Sequence, residues 1–475
     1  MLQILAELCF MTISKMKLLI IFALFPLFGM SQSADSLTVH RIYIKGNDRT
    51  WSRIIVRELT LKEEYKFAKK DTTFLLNKDR QKIFNLNLFI SVKVSLFNIT
   101  ASQADVFIEV KERWYYIVLP TFRLADRSFN EWWYERNRDI QRTIYGVYFD
   151  NINLTGNGDR LRLKFEAGFI PYYEISYNSR YIDKKQRIGL TSGIYYSTQR
   201  SIPFRTWNDK LDFLVSDQIS RRKKGGYLLF NYRKNFYLTH SLQLGYEKLN
   251  IADTVSLLNP NYFINQQSSQ RFAYIDYDIL YDNRDNRQYA LKGDILYFSV
   301  SKYGILKSDD IRQVNISGVF SKFIPLGNKF YSNFSFRFNA GFSPNWSYPN
   351  TIKLGYRNDL VRGYELNVID GQAYGLLKSN FKYQWLKKTI NLSPVVKIKQ
   401  FNTLPLASYL NIFADAGYMK NRFPQLSNTQ LGNKLLLGGG IGLDFISWYD
   451  FVGQINYSIN QNHEKRFYFS ALKYF

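Results

Sequence analysis

From Tyr115 to its last residue, the chain alternates. Arg160-Leu161-Arg162-Leu163-Lys164-Phe165-Glu166 sends polar and apolar side chains to opposite faces of an extended segment, because successive side chains of a strand point opposite ways. The pattern recurs at 172–181, 187–196, 226–236, 241–247, 272–280, 294–300, 330–338 and 467–475. Segments of about ten residues of this kind, with Tyr and Phe near their ends, predict a transmembrane antiparallel β-barrel. Its apolar side chains face lipid, its polar ones face a wet lumen, and closure leaves no strand edge in the bilayer. The fold class read from the sequence is therefore mainly β.

The layout predicts about 16 strands, an allowed even number. They fall near 115–124, 143–154, 160–169, 172–182, 187–197, 226–238, 241–252 and 271–282. The rest fall near 293–303, 311–325, 330–342, 373–387, 405–419, 435–447, 451–460 and 466–475. Even-to-odd connections come out short and odd-to-even ones longer, the asymmetry expected of inner turns and outer loops.

Composition agrees once the pattern is known. Mean hydropathy is −0.28, low for a membrane protein, but half of each strand faces water. A hydrophobic fraction of 46% excludes a disordered chain. The net charge of +25 first suggests nucleic acid. The basic residues are interleaved with Tyr and Phe, however, and Arg221-Arg222-Lys223-Lys224 is the clearest run. The charge is expected to line the lumen or meet lipid phosphates, and no nucleic-acid partner is expected. The lone cysteine, Cys9, excludes a disulfide scaffold and a cysteine metal cluster.

Lys15 and Lys17 precede an apolar run at 18–28, followed by Gly29-Met30-Ser31. The run is shorter than the roughly 20 residues of a spanning helix. Residues 1–31 read as a signal peptide with its start at Met16.

Residues 37–113 have another rhythm: a strand at 37–44, then a helix from a Thr50 cap to about Leu59. A second helix follows at 77–88, with Leu76, Ile83, Phe84 and Leu88 on one face, then a hairpin at 90–97 and 105–112. Ile44-Lys45-Gly46-Asn47-Asp48-Arg49-Thr50, Ile55-Val56-Arg57-Glu58-Leu59, Asn85-Leu86-Asn87-Leu88-Phe89-Ile90-Ser91-Val92 and Val106-Phe107-Ile108-Glu109-Val110-Lys111-Glu112 resemble a POTRA domain in this β-α-α-β-β order. The barrel domain is then 114–475.

Three motifs stand out in the barrel. Val361-Arg362-Gly363-Tyr364, with Gly371-Gln372-Ala373-Tyr374 after it, lies in the long sixth outer loop, 343–372. Phe413-Ala414-Asp415-Ala416-Gly417 lies on the thirteenth strand, before Gly438-Gly439-Gly440-Ile441-Gly442. Asp282-Asn283-Arg284-Asp285-Asn286 precedes Lys292-Gly293 at an inner turn, with Ala290 where such motifs usually have Pro. Together with the POTRA-like unit, these resemble the BamA/TamA superfamily of outer-membrane assembly and translocation barrels.

The resemblance implies that the sixth loop folds into the lumen and that Arg362 meets Asp415. Gly363, Tyr364 and Gly417 complete that latch. It implies a weak lateral seam between a first strand running from Tyr115 to Leu124 and a last strand running from Phe467 to Phe475. The hairpin strand at 90–97, with Ile90, Val92 and Val94, is the expected client docking edge. The implied function is insertion or folding of β-barrel clients through the seam. The alternative is a dedicated polypeptide transporter of the two-partner-secretion type, and a passive channel is a third reading. The implied site is the bacterial outer membrane, with the POTRA domain in the periplasm. Implied partners are unfolded outer-membrane proteins or a secreted polypeptide, outer-membrane lipid, and periplasmic or lipoprotein accessory subunits.

No Ser-nucleophile elbow, phosphate-binding loop or zinc-protease motif occurs, so neither catalysis nor a cofactor is expected. Asp276, Asp278, Asp282 and Asp285 lack calcium-loop spacing and read as a lumen-facing acidic strip. His40, His240 and His463 are far apart, and no metal site is expected.

Overall fold

The computed structural model describes residues 36–472, apart from 184–186, 236, 392–402 and 448–450. The expected signal peptide and Phe475 lie outside the described residues. Two compact units are present: one runs to Tyr115 and includes 153–158, and the other comprises 116–152 and 159 onward.

The amino-terminal unit contains β1 (Ser36–Lys45), α1 (Ser52–Val56), β2 (Lys66–Ala68), α2 (Thr72–Phe84), β3 (Phe89–Phe97) and β4 (Gln103–Glu112). Its sheet order is β2-β1-β4-β3, with β1 parallel to β4. The expected order thus gains one short strand, β2. Thr50 does not cap α1: Trp51 is the N-cap, without a side-chain bond. The Thr50 hydroxyl bonds the Tyr115 hydroxyl instead, at 2.8 Å. The second helix starts earlier than its apolar spacing suggested and buries Leu75, Asp79 and Ile83, one turn apart. Phe84, expected inside, is exposed. A buried aspartate breaks the apolar stripe because its carboxylate accepts the Thr60 and Leu61 backbone N–H groups, both at 2.8 Å.

The second unit is a 16-stranded sheet of antiparallel neighbours in chain order. It runs through β5 (Tyr116–Leu124), β6 (Thr143–Asn151), β7 (Arg160–Gly168), β8 (Tyr172–Ser179) and β9 (Ile188–Gln199). After a side hairpin, β10 (Ile202–Trp207) and β11 (Lys210–Leu214), come β12 (Arg221–Arg233), β13 (Leu238–Ile251), β14 (Ser269–Asp282) and β15 (Gly293–Tyr303). β16 (Gln313–Gly327) and β17 (Phe330–Phe342) lead into the sixth loop, which holds a small hairpin, β18 (Ile352–Leu354) with β19 (Ile369–Gly371). The sheet ends with β20 (Ala373–Asn391), β21 (Thr403–Lys420), β22 (Leu435–Ile446), β23 (Val452–Asn460) and β24 (Lys465–Leu472).

The expected strands are the observed ones, with shifted ends. The sixth barrel strand begins at Arg221 rather than 226, so the basic run is part of a strand. No described helix is long and apolar enough to cross a membrane; the strands do so. Alternation sorts their faces. Leu228, Leu244, Leu296, Phe320, Phe336, Ile412 and Ile441 are exposed on the outside. Asp278, Glu247, Asp415 and Asp444 lie on the opposite face, and Asp278 accepts a bond from the Tyr297 hydroxyl at 2.8 Å.

Candidate lumen latch and barrel seam

Loop 343–372 turns back against the inner face of β20–β23. Gly363 takes φ +99°, a left-handed value that suits glycine. The turn places the Arg362 guanidinium against Asp415 on β21. Its Nε donates to Oδ2 at 2.8 Å, its Nη2 bonds Oδ1, and the Arg362 backbone N–H donates to Oδ2 at 3.1 Å. Asn380 accepts from Nη1 at 2.6 Å and the Ser379 carbonyl accepts from Nη2 at 3.2 Å. The Phe413 ring lies 3.9 Å below the guanidinium. The Asp415 side chain is fully buried and that of Arg362 is 11% exposed.

Water cannot screen such a pair, and bidentate bonding suits a planar fork. Lys378 adds a second cation 3.7 Å from Asp415. Gly438 leaves room for the loop: a Cβ there would lie 1.9 Å from the Arg362 carbonyl oxygen. A Cβ at Gly417 would lie 2.5 Å from Val361 Cγ2. Tyr364 is buried in an apolar cluster with Val361, Leu376, Met419 and Leu436. All five residues of the expected latch thus meet in one place.

Three features went unread in the sequence. The first is a closed loop end. Asp209, in the turn between β10 and β11, bonds the Thr429 hydroxyl and accepts the Gln430 and Leu431 backbone N–H groups at 3.0 and 3.1 Å. Burial pushes its carboxyl above the ordinary value, against those bonds. Val368 donates to the Asp209 carbonyl at 2.7 Å. Ile202, Phe204, Val255, Tyr262, Phe263 and Tyr348 form an apolar core among these loops.

The second feature is at the turn end. The turn at 283–292 sends Tyr289 into the lumen, where its hydroxyl donates to Asp444 at 2.7 Å. Lys382 lies 3.4 Å from Asp444 and 3.9 Å over the Tyr289 ring. The long turn after the Asp282 motif was the only available signal.

The third feature is at the seam. Among the described residues no ladder joins β24 to β5; they are the two ends of the sheet order. The free edge of β24 is met by α3 (Phe129–Glu135), in the loop after β5. The Asn130 carboxamide accepts from the Phe469 N–H at 2.9 Å and donates to the Phe469 carbonyl at 3.1 Å. Tyr134 donates to the Phe467 carbonyl at 2.9 Å. Ser128 caps the helix by accepting from Glu131 N–H, and Glu131 pairs with Arg127 at 2.9 Å and Arg136 at 2.8 Å.

The expected seam residues divide. Leu124 ends β5 and Phe467 lies on β24. Tyr115 precedes the strand and belongs to the amino-terminal unit, where its hydroxyl meets that of Thr50. Of the expected docking residues, Ile90 is exposed and Val94 is half-buried on the edge strand β3. Val92 is buried because its side chain faces the core.

Residues 153–471 match the Omp85 superfamily domain. BamA from Haemophilus ducreyi lacking POTRA domains 1-3 is similar over 92% of this chain and 85% of its own, at 16% identity and a TM-score of 0.59. CdiB from Acinetobacter baumannii is similar over 92% of this chain and 73% of its own, at 12% identity and a TM-score of 0.46. CdiB from Escherichia coli is similar over 93% and 90%, at 10% identity and a TM-score of 0.44. No curated protein matches the sequence. With its 16-stranded antiparallel barrel of the outer-membrane type, the chain belongs to the Omp85 superfamily.

Proposed function

We propose that this barrel is an outer-membrane assembly factor that inserts or folds β-barrel clients through the seam between β5 and β24. The observation that carries the reading is the edge of β24. Its Phe467 and Phe469 backbone groups are met by side chains of α3, not by a strand. An edge held by side chains opens at the cost of a few bonds, and a client strand then pairs there by β-augmentation with its polar groups satisfied. The interlocked loops and the Arg362–Asp415 latch support a lateral route over passage along the lumen. In this reading the latch, with Gly363, Tyr364 and Gly417, keeps the lumen filled while the seam works. The role is non-enzymatic. The amino-terminal unit, residues 37–113, is the POTRA domain, lies in the periplasm and offers the β3 edge to clients or accessory subunits.

The test is a reversible lock. Cysteine pairs on Tyr116–Leu124 and Lys465–Leu472 are screened for disulfide formation in a chain with Cys9 replaced. Insertion of a model barrel into proteoliposomes should stop on oxidation and return on reduction. Insertion at the unlocked rate by a fully oxidised chain refutes the reading. Photo-crosslinking from Ile90, which is exposed, separates general assembly from dedicated transport. Many barrel adducts support assembly; one recurrent secreted protein supports transport.

A further inference from the structure

The outside of the barrel carries a row of cations without counter-ions. On β12, β13 and β14 the lipid-facing positions are marked by exposed Leu228 and Tyr232, by Leu242, Leu244 and Tyr246, and by Tyr277. The same alternation, followed toward the loop end, reaches Arg222 and Lys224 on β12, Lys248 on β13 and Arg271 on β14. The register sets Lys224 opposite Lys248, and Lys248 opposite Arg271. The other cross-strand neighbours are neutral: Tyr196 beside Lys224, and Thr198 and Asn250 beside Arg222.

Among the described residues none of the four enters an ion pair. Lys223, between two of them, faces the lumen and pairs with Glu247 at 2.6 Å. Two acids lie beside the row and are bound to backbone groups: Asp310 accepts the Arg271 N–H at 2.8 Å, and Asp309 accepts the Ala273 N–H at 3.2 Å and the Leu306 N–H at 2.7 Å. Like charges directly opposite one another destabilise a sheet. Three adjacent strands bring the stems of Lys224, Lys248 and Arg271 within about 10 Å of each other, and Arg222 follows two residues along β12. Three other outward strand cations at this end have neutral neighbours: Lys302 is opposite Ile275 and Val314, Lys420 opposite Ala373, and Lys465 opposite Ile459.

Height and direction identify the occupant. Tyr246 lies one outward position below Lys248, and Tyr196 is level with the row. Aromatic side chains at the margin of the apolar band mark the head-group level. The cations share a face with Leu228 and Leu244, which meet acyl chains. We propose that Arg222, Lys224, Lys248 and Arg271 form a docking site for a phosphate-bearing lipid head group, in the leaflet at the loop end. The site rests on the barrel's membrane placement and is independent of the client cycle.

Native mass spectrometry of the full chain in zwitterionic detergent, titrated with a diphosphorylated glycolipid, tests it. The triple variant Lys224→Gln, Lys248→Gln, Arg271→Gln should bind at least about tenfold more weakly, since it removes three of the four cations at the head-group level. Lys224→Arg, Lys248→Arg, Arg271→Lys should bind like the parent. A charge-matched control on the amino-terminal unit, Lys62→Gln, Lys70→Gln, Lys78→Gln, should also bind like the parent. Heat-modified gel mobility reports barrel folding; should the triple variant not fold, Lys248→Gln alone should weaken binding in the same direction. Unchanged binding in the Gln variant overturns the proposal. So does equal loss in the control, or competition by inorganic phosphate at concentrations equal to those of the lipid.

Discussion

Asp415→Asn is the most informative single change, because one carboxylate holds three groups. It accepts from the Arg362 guanidinium and from the Arg362 backbone N–H, and it faces Lys378 at 3.7 Å. The substitution preserves shape and removes charge, leaving two cations in a buried space without the carboxylate that both face. Breaking a buried pair from one side costs about 3–5 kcal/mol. At about 1.4 kcal/mol per decade, loop opening should rise by roughly a hundredfold to several thousandfold. The assay is amide exchange of residues 361–366 in the folded barrel, where the Arg362 and Gly363 N–H groups are bound to Asp415 and Glu365. The rest of the barrel should keep its protection, since a loop can open without global unfolding. A change below about fivefold would refute the latch reasoning. The charge swap Arg362→Asp with Asp415→Arg should not restore protection, because the new arginine would face Lys378. A swap that did restore it would show that pairing alone, and not the three-way acceptor, holds the loop.

Other perturbations probe separate contacts. Asn130→Ala removes two bonds to Phe469, each worth about 1 kcal/mol, so exchange of the Phe469 amide should rise by at least about tenfold. Asn130→Asp keeps the acceptor and loses the donor and should fall between; no change in either would show that α3 does not hold the edge. Gly438→Ala sets a Cβ 1.9 Å from a backbone oxygen of the docked loop and should expose residues 361–366 as Asp415→Asn does. Gly439→Ala, whose nearest atom would be 3.2 Å away, should be mild; equal effects would argue against loop contact as the cause. In the amino-terminal unit, the Asn98 carboxamide holds the Asp105 carboxyl below its ordinary value, helped by the His40 ring and Arg41 N–H and opposed by burial. A depressed carboxyl stabilises the fold above its unfolded value of 3.8 and loses that contribution as pH falls through the folded value. The urea midpoint of this unit, read by amide exchange of β4 in the intact chain, should fall with acid. It should fall less in Asp105→Asn, and an identical fall would sink the assignment.

Much of the barrel could be read directly from the residue order. Whether Leu228 faces lipid or Glu247 faces the lumen depends on partition between two solvents at one strand position, and period-two alternation records it. The pairing of Arg362 with Asp415 was legible through the resemblance of their motifs to a known superfamily, and the chemistry of a guanidinium fork and a carboxylate agrees with it. The short hairpins β10–β11 and β18–β19 were not legible. They have no lipid face, so nothing forces them to alternate. Asn130 resembled any polar loop residue, because its partner lies 339 residues away. Tyr289 and Asp444 are 155 residues apart and meet only when a turn folds under the barrel. The run Arg221-Arg222-Lys223-Lys224 was visible as charge, yet Lys248 and Arg271 stand beside it only through strand register. Local solvent partition is written residue by residue. Edges, cross-lumen contacts and charge rows exist only after register and loop closure bring distant segments together, and no local pattern encodes that step.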